Sequence, residues 1–122
     1  GYIHELRQYV GNKSLIMVGT TVLIINQQDK LLLIKRSDNG YWSIPGGAME
    51  LRESIEDTAR RGTKEETELE IGEMFLLVFF RAGVFYEYPN GAQVYNVSVV
   101  YVARDVRGEV KTGKDEHVEF GF

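Results

Sequence analysis

Glu53, Glu65 and Glu66, with Arg61 among them, lie in a stretch that opens on the glycine pair Gly46-Gly47 and continues as a run crowded with acids. Positions 62, 65 and 66 are related as i, i+3 and i+4, so on a helix they share one face within an arc of about 100°. Carboxylates on that face, here Glu65 and Glu66, converge on a metal instead of splaying apart. Arg61 precedes Glu65 by one helical turn and can pair with it, which would hold that side chain in place. The chain has no cysteine and only two histidines, His4 and His117. A cation bound here would therefore take carboxylate oxygens, which suits a hard ion such as Mg2+ or Mn2+. Taken alone, an acid-rich helix is more often a solvated face and a Gly-Gly pair a plain turn.

The helix that must carry these acids is predicted from Ser54 to about Thr67. Ser54 followed by Asp57 has the pattern of a capping box, with Asp in place of the commoner Glu or Gln. Glu50, Glu53, Glu56 and Asp57 gather at the amino end, where the helix dipole favours negative charge. Ile55, Ala59 and Thr63, with Thr58 beside them, form a narrow core-facing stripe. Before this helix, Tyr2 to Val10 has helical spacing and ends at Gly11-Asn12. Met17 to Ile25 and Leu31 to Arg36 are strand-like runs joined by a polar segment, a hairpin signal. Tyr41 to Ile44 is a short strand, and Pro45-Gly46-Gly47 is expected to stop regular structure. After Gly72, Met74 to Ala82, Val84 to Tyr88, Gln93 to Ala103 and Val118 to Phe122 are predicted strands, with turns at Pro89-Asn90-Gly91 and Arg107-Gly108. Strands on either side of one central helix imply a single α/β domain over residues 1–122, with a mixed sheet and helices on its faces.

The acid-rich stretch resembles the Nudix box, G-x5-E-x7-R-E-U-x-E-E-x-G-U, where U is a bulky aliphatic residue. Gly47, Glu53, Arg61, Glu65, Glu66 and Leu69 fall in register without a gap. Tyr41-Trp42-Ser43-Ile44-Pro45-Gly46-Gly47 is similar to the strand and loop that lead into the box, and the similarity extends from about Gly19 to Phe122. Three positions depart from the pattern. Gly62 stands where the family has glutamate, Thr63 where it has an aliphatic residue, and Glu68 where it has glycine. Glycine inside a helix costs about 1 kcal/mol relative to alanine, and loss of a positioned base typically costs about 10²–10⁴-fold in rate. Glu68 must adopt or avoid the left-handed backbone that a helix-ending glycine takes cheaply.

The resemblance implies an alpha/beta/alpha sandwich and metal-assisted hydrolysis of a diphosphate linked to another moiety, as in a nucleotide or nucleotide sugar. Glu65 and Glu66, with Glu53, would be the Mg2+ or Mn2+ ligands, and Arg61 and Glu65 would be catalytic. Family members often take a base from a loop outside the box. Glu116 is the candidate here, with Asp115 and Glu119 as rivals. Gly46 and Gly47 would approach substrate closely, and Arg36 or Arg52 would grip phosphate. Restoring the acid by Gly62→Glu is expected to raise turnover if the site is weakened but competent. The competing reading is a degenerate module that binds nucleotide or metal without turnover. The related diphosphate isomerases need a catalytic cysteine, which this chain lacks. Relatives generally continue into a further helix beyond the final strand.

Composition sets bounds on partners. A net charge of −4 argues against a protein that coats a nucleic acid polymer, because neutralising phosphates needs clustered Lys and Arg. No apolar run approaches the roughly 20 residues that span a bilayer. No secretory leader is visible, and the absence of cysteine fits a reducing compartment, so the cytoplasm is the expected location. Trp42 and the tyrosines Tyr86, Tyr88 and Tyr95 are more often sheet-packing residues than base-stacking ones. The apolar face of the amino-terminal helix offers a surface for a second copy in a homodimer.

Overall fold

The computed structural model describes residues 1–36, 40–87, 93–110 and 116–121. Strand β1 (Leu15–Ile24) is the axis of the fold. On one side it pairs in parallel with β7 (Gln93–Ala103), from Leu15 opposite Val94 to Ile24 opposite Ala103. On the other it pairs antiparallel with β4 (Gly46–Ala48). Strand β6 (Met74–Glu87) pairs antiparallel with β7, completing a mixed four-stranded sheet in the order β4-β1-β7-β6. A second sheet has the order β3-β2-β9, from Trp42–Ser43, Leu31–Arg36 and Glu116–Gly121. The short strands β5 (Glu70–Ile71) and β8 (Val106–Arg107) form a small antiparallel ladder. The fold is mixed α+β with a central mixed sheet and, among the described residues, two helices, as the order of elements implied.

Helix α2 (Ile55–Thr67) packs on β1, β4 and β5. Thr58, Ala59, Gly62, Thr63 and Thr67 are buried on that side. This includes most of the stripe expected from sequence; Ile55 is half-buried at the rim. The core beneath holds Val22, Ile24, Leu32, Leu69, Ile71, Tyr101 and Ala103. Ser54 Oγ accepts the Asp57 N–H at 3.0 Å and caps the first turn. Among the described residues Asp57 makes no return bond to Ser54, so this is a one-sided cap. Helix α1 (Tyr2–Val10) has no buried residue and lies outside the core. Among the described residues no helix is long and apolar enough to cross a membrane.

Three expectations about local structure change. The predicted β1–β2 hairpin reduces to one bridge, Ile25 opposite Leu31, and the two strands enter different sheets. A polar connection signals a chain reversal but does not decide which edge each strand then joins. Pro45-Gly46-Gly47 does not end regular structure, because Gly46 and Gly47 begin β4, paired with Thr21 and Thr20. Lack of side chains allows a close approach there that bulkier strand residues would prevent. Finally, the two strands expected on either side of Gly83 are one strand, β6, with a register shift between Arg81 and Phe85. The predicted Pro89-Asn90-Gly91 turn lies outside the described residues.

Candidate active site

The glycines of β4 are set by their neighbours. Thr20 is buried in β1. Its Oγ1 donates to the Gly47 carbonyl at 3.1 Å and accepts the Gly47 N–H at 3.1 Å. A threonine inside an apolar strand carried no sequence signal of this role, yet it fixes where Gly47 sits. Across from it, Gly62 of α2 lies directly against the β4 backbone. A methyl group at Gly62 would meet the Gly46 carbonyl, standing 2.6 Å from its carbon and 2.9 Å from Gly47 Cα. Helix and strand approach as closely as they do because Gly62 and Gly47 both lack Cβ.

Beside this contact, Arg61 is the hub of a polar network. Its Nε donates to Glu53 Oε2 at 2.5 Å and its Nη2 to Glu53 Oε1 at 3.0 Å, a bidentate pair. Nη2 also reaches the Ala48 carbonyl at 2.7 Å, tying α2 to β4. Nη1 donates to Glu65 Oε2 at 3.2 Å, the one-turn pairing expected from spacing. Glu53 Oε1 further accepts from Thr58 Oγ1 at 2.9 Å and from the Glu50 N–H at 3.1 Å. Hydrogen bonding from Arg61 is the main reason the Glu53 carboxyl is held down to about 2, and it outweighs burial. The same bond to Glu53 pushes the Arg61 guanidinium above its ordinary value. Thr58, which caps this cluster from the next turn, was read from sequence only as a core residue.

The predicted site residues fall into two groups. Gly46, Gly47, Glu53, Arg61 and Glu65 are gathered at the β4–α2 junction, with Glu65 exposed. Glu66 is the next residue of α2 and is half-buried. Arg36 and Glu116 lie on the other sheet, where they are direct partners across β2 and β9. Glu119 is also on β9, opposite Leu33; Asp115 lies outside the described residues. Glu68 resolves its either-or by taking the left-handed conformation, φ 63°, as the residue that closes α2.

Oxygen donors of this kind suit a hard divalent cation, although among the described residues no cluster of three acidic or histidine side chains is close enough to hold one alone. Glu53 is already committed to Arg61, Thr58 and the Glu50 N–H. Glu65, exposed and paired with Arg61 through one oxygen, and Glu66, the next residue of α2, remain as candidates. A pair of carboxylates fits Mg2+, which is usually held by one or two protein carboxylates together with substrate phosphates and water.

Comparison with known proteins bears on the family and the fold. The family model of the NUDIX domain matches residues 15–122. An ADP-ribose pyrophosphatase of Methanocaldococcus jannaschii is 35% identical over 95 residues, covering 75% of this chain and 53% of that protein. A mouse 8-oxo-dGDP phosphatase is 32% identical over 100 residues, covering 80% of this chain and 28% of that protein. The chain thus spans about half the length of the first relative and less of the second. Among solved structures, a MutT hydrolase from Burkholderia pseudomallei superposes with a TM-score of 0.73 at 26% identity, covering 88% of this chain and 83% of that one. The mutator MutT protein from Bacillus halodurans gives a TM-score of 0.70 at 26% identity, covering 86% and 67% of the two chains.

Proposed function

The chain belongs to the NUDIX domain family, and we propose that it is a divalent-metal-dependent hydrolase of a nucleoside diphosphate linked to another moiety. The observation that carries this reading is the Arg61 network on α2, which pairs with Glu53 and Glu65 and binds the Ala48 carbonyl at the end of the glycine strand. Glu66 follows Glu65 on the same helix. Relatives named for ADP-ribose and for 8-oxo-dGDP support a small nucleotide derivative as substrate. Neither name selects between them for this chain.

In this reading Glu65 and Glu66 hold Mg2+ or Mn2+, and Arg61 keeps Glu65 aimed. A metal bound there would neutralise charge developing on the diphosphate and lower the pKa of an attacking water. Glu53 acts through Arg61, as the anchor that stops the guanidinium from swinging. Gly46 and Gly47, whose side-chain space is filled by β1 and α2, serve by letting the acidic helix lie against β4 rather than by opening room for substrate. Glu116 is the proposed base, and Arg36, its partner across the strands, the proposed phosphate ligand. We place the protein in the cytoplasm.

The test is release of product from a panel of dNTPs, 8-oxo-dGDP, ADP-ribose, sugar nucleotides and dinucleotide polyphosphates. It is run with Mg2+ or Mn2+ and again with EDTA. Activity should require the metal, and Glu66→Gln should lower kcat by about 10²-fold or more. A flat response across the panel, with nucleotide still bound, would favour the second reading, a binding module without turnover. Gly62, which supplies no carboxylate to the helix face shared with Glu65 and Glu66, is the observation behind that alternative.

A further inference from the structure

A cavity of about 320 Å³ lies between α1 and the loop that joins β4 to α2. Its apolar walls come from Ile3 of α1, Ile16 and Val18 of β1, and Met49 and Leu51 of the loop. Ile16 and Leu51 remain exposed at 69% and 67%, large apolar side chains turned to an open space. Glu50, also on the wall, accepts the Tyr2 N–H at 2.7 Å and so ties the start of α1 to the loop.

Arg52 completes the lining and is the unusual member. Its backbone has φ 67°, a conformation that residues with a side chain rarely adopt and glycine takes freely. Among the described residues its guanidinium makes no hydrogen bond or ion pair. A strained position that keeps a long cation, and gives that cation no partner within the fold, is a signature of binding. Arg52 directly precedes Glu53, so the two Cα atoms are about 3.8 Å apart. The cavity and the acidic site thus share one segment of chain.

We infer that this cavity receives the nucleoside portion of the substrate, and that Arg52 grips the phosphate attached to it. The assignment rests on the proposed hydrolysis of a nucleoside diphosphate linkage and names where substrate choice is made. Small-molecule pockets run from about 300 to 1,000 Å³. This one is near the lower end, matching one base and its sugar, with the rest of the substrate projecting towards solvent. Apolar walls cover the base, and Arg52 turns the diphosphate towards Glu65 and Glu66.

The three methionines provide a direct readout: Met17 and Met49 line the cavity, and Met74 packs on the core at the start of β6. With methyl-labelled methionine and Mg2+, α,β-methylene-ADP should shift the Met17 and Met49 signals and leave Met74 in place. Methylenediphosphonate, which lacks the nucleoside, should not move Met17. Arg52→Gly should weaken binding of both compounds by about tenfold while raising the melting temperature, since it removes a charged hydrogen bond to ligand and a strained backbone together. Ile16→Asp, at an exposed position, should weaken the nucleotide alone. Wild-type affinity in Arg52→Gly, or no nucleotide shift at Met17 and Met49, overturns the assignment. Turnover in the nucleotide panel with Met17 and Met49 unmoved sinks the cavity and leaves hydrolysis standing. Shifts at both methionines without turnover keep the cavity and sink hydrolysis.

Discussion

Gly62 rests on the backbone of Gly46, with no room between them for a side chain. Sequence comparison presents Gly62 as a missing carboxylate. In the structure it is also the reason α2 can lie flush on β4, which changes what a substitution there should do.

Gly62→Ala should therefore destabilise the protein by about 1–3 kcal/mol, the range for overpacking a close contact, despite the better helix propensity of alanine. Gly62→Glu should cost at least as much and should not raise turnover, contrary to the expectation from sequence alone. Denaturant midpoints and kcat for both variants check this. A glutamate variant with wild-type stability and faster turnover would show that the helix lifts off β4 without penalty.

The Glu53–Arg61 pair predicts a pH window. The Glu53 carboxyl is held at about 2, against 4.5 without its partners. Its contribution is therefore complete above pH 4.5 and is lost as pH falls towards 2. Glu53→Gln should destabilise by about 1–3 kcal/mol at neutral pH, the range for hydrogen bonds to charged groups. The difference from wild type should shrink as pH falls below 4.5. Urea titrations of both proteins between neutral pH and acid measure it; a gap that stays constant would rule out Glu53 ionisation as its source.

Glu68 closes α2 with φ 63°, and its N–H reaches the Lys64 carbonyl at 2.8 Å. Glycine takes that conformation without the Cβ penalty, so Glu68→Gly should stabilise by about 1 kcal/mol. Thermal unfolding at neutral pH is the check, and a lower midpoint would mean that the Glu68 side chain contributes more than its backbone costs.

Thr63 Oγ1 is buried without a hydrogen-bond partner among the described residues. Valine has nearly the same shape and no polar atom, so Thr63→Val should stabilise by about 1 kcal/mol or more. Combined calorimetry of Thr63→Val and wild type tests this, with a loss of stability as the contrary result.

Much of this site was legible because its signals are local. Ser54 as cap, the buried Thr58–Ala59–Thr63 face and the Arg61–Glu65 pairing all follow from helical spacing, which depends on nothing outside α2. What spacing cannot supply is contact between segments distant in the chain. The hold of Arg61 on Glu53 and Ala48 needs the loop to fold back under α2. The Thr20–Gly47 clamp needs β4 to join β1, where sequence suggested an end to regular structure. The strained Arg52 backbone likewise has no local signature, because arginine is not a residue that announces positive φ. Family resemblance recovered the family and fold; Gly62 looked different once its neighbours were known.

The ladder between β1 and β7 has a kinetic side. Leu15 is paired with Val94 and Ile24 with Ala103, so the central strand finds its inner neighbour only near the far end of the chain. Contacts this remote in sequence require a large loop to close before they return any stability, and they slow folding. During synthesis, the strand that backs β1 emerges after β4 and α2 have left the ribosome. The nascent chain thus carries the complete acidic helix well before it carries the strand that backs β1, one of the strands on which that helix packs.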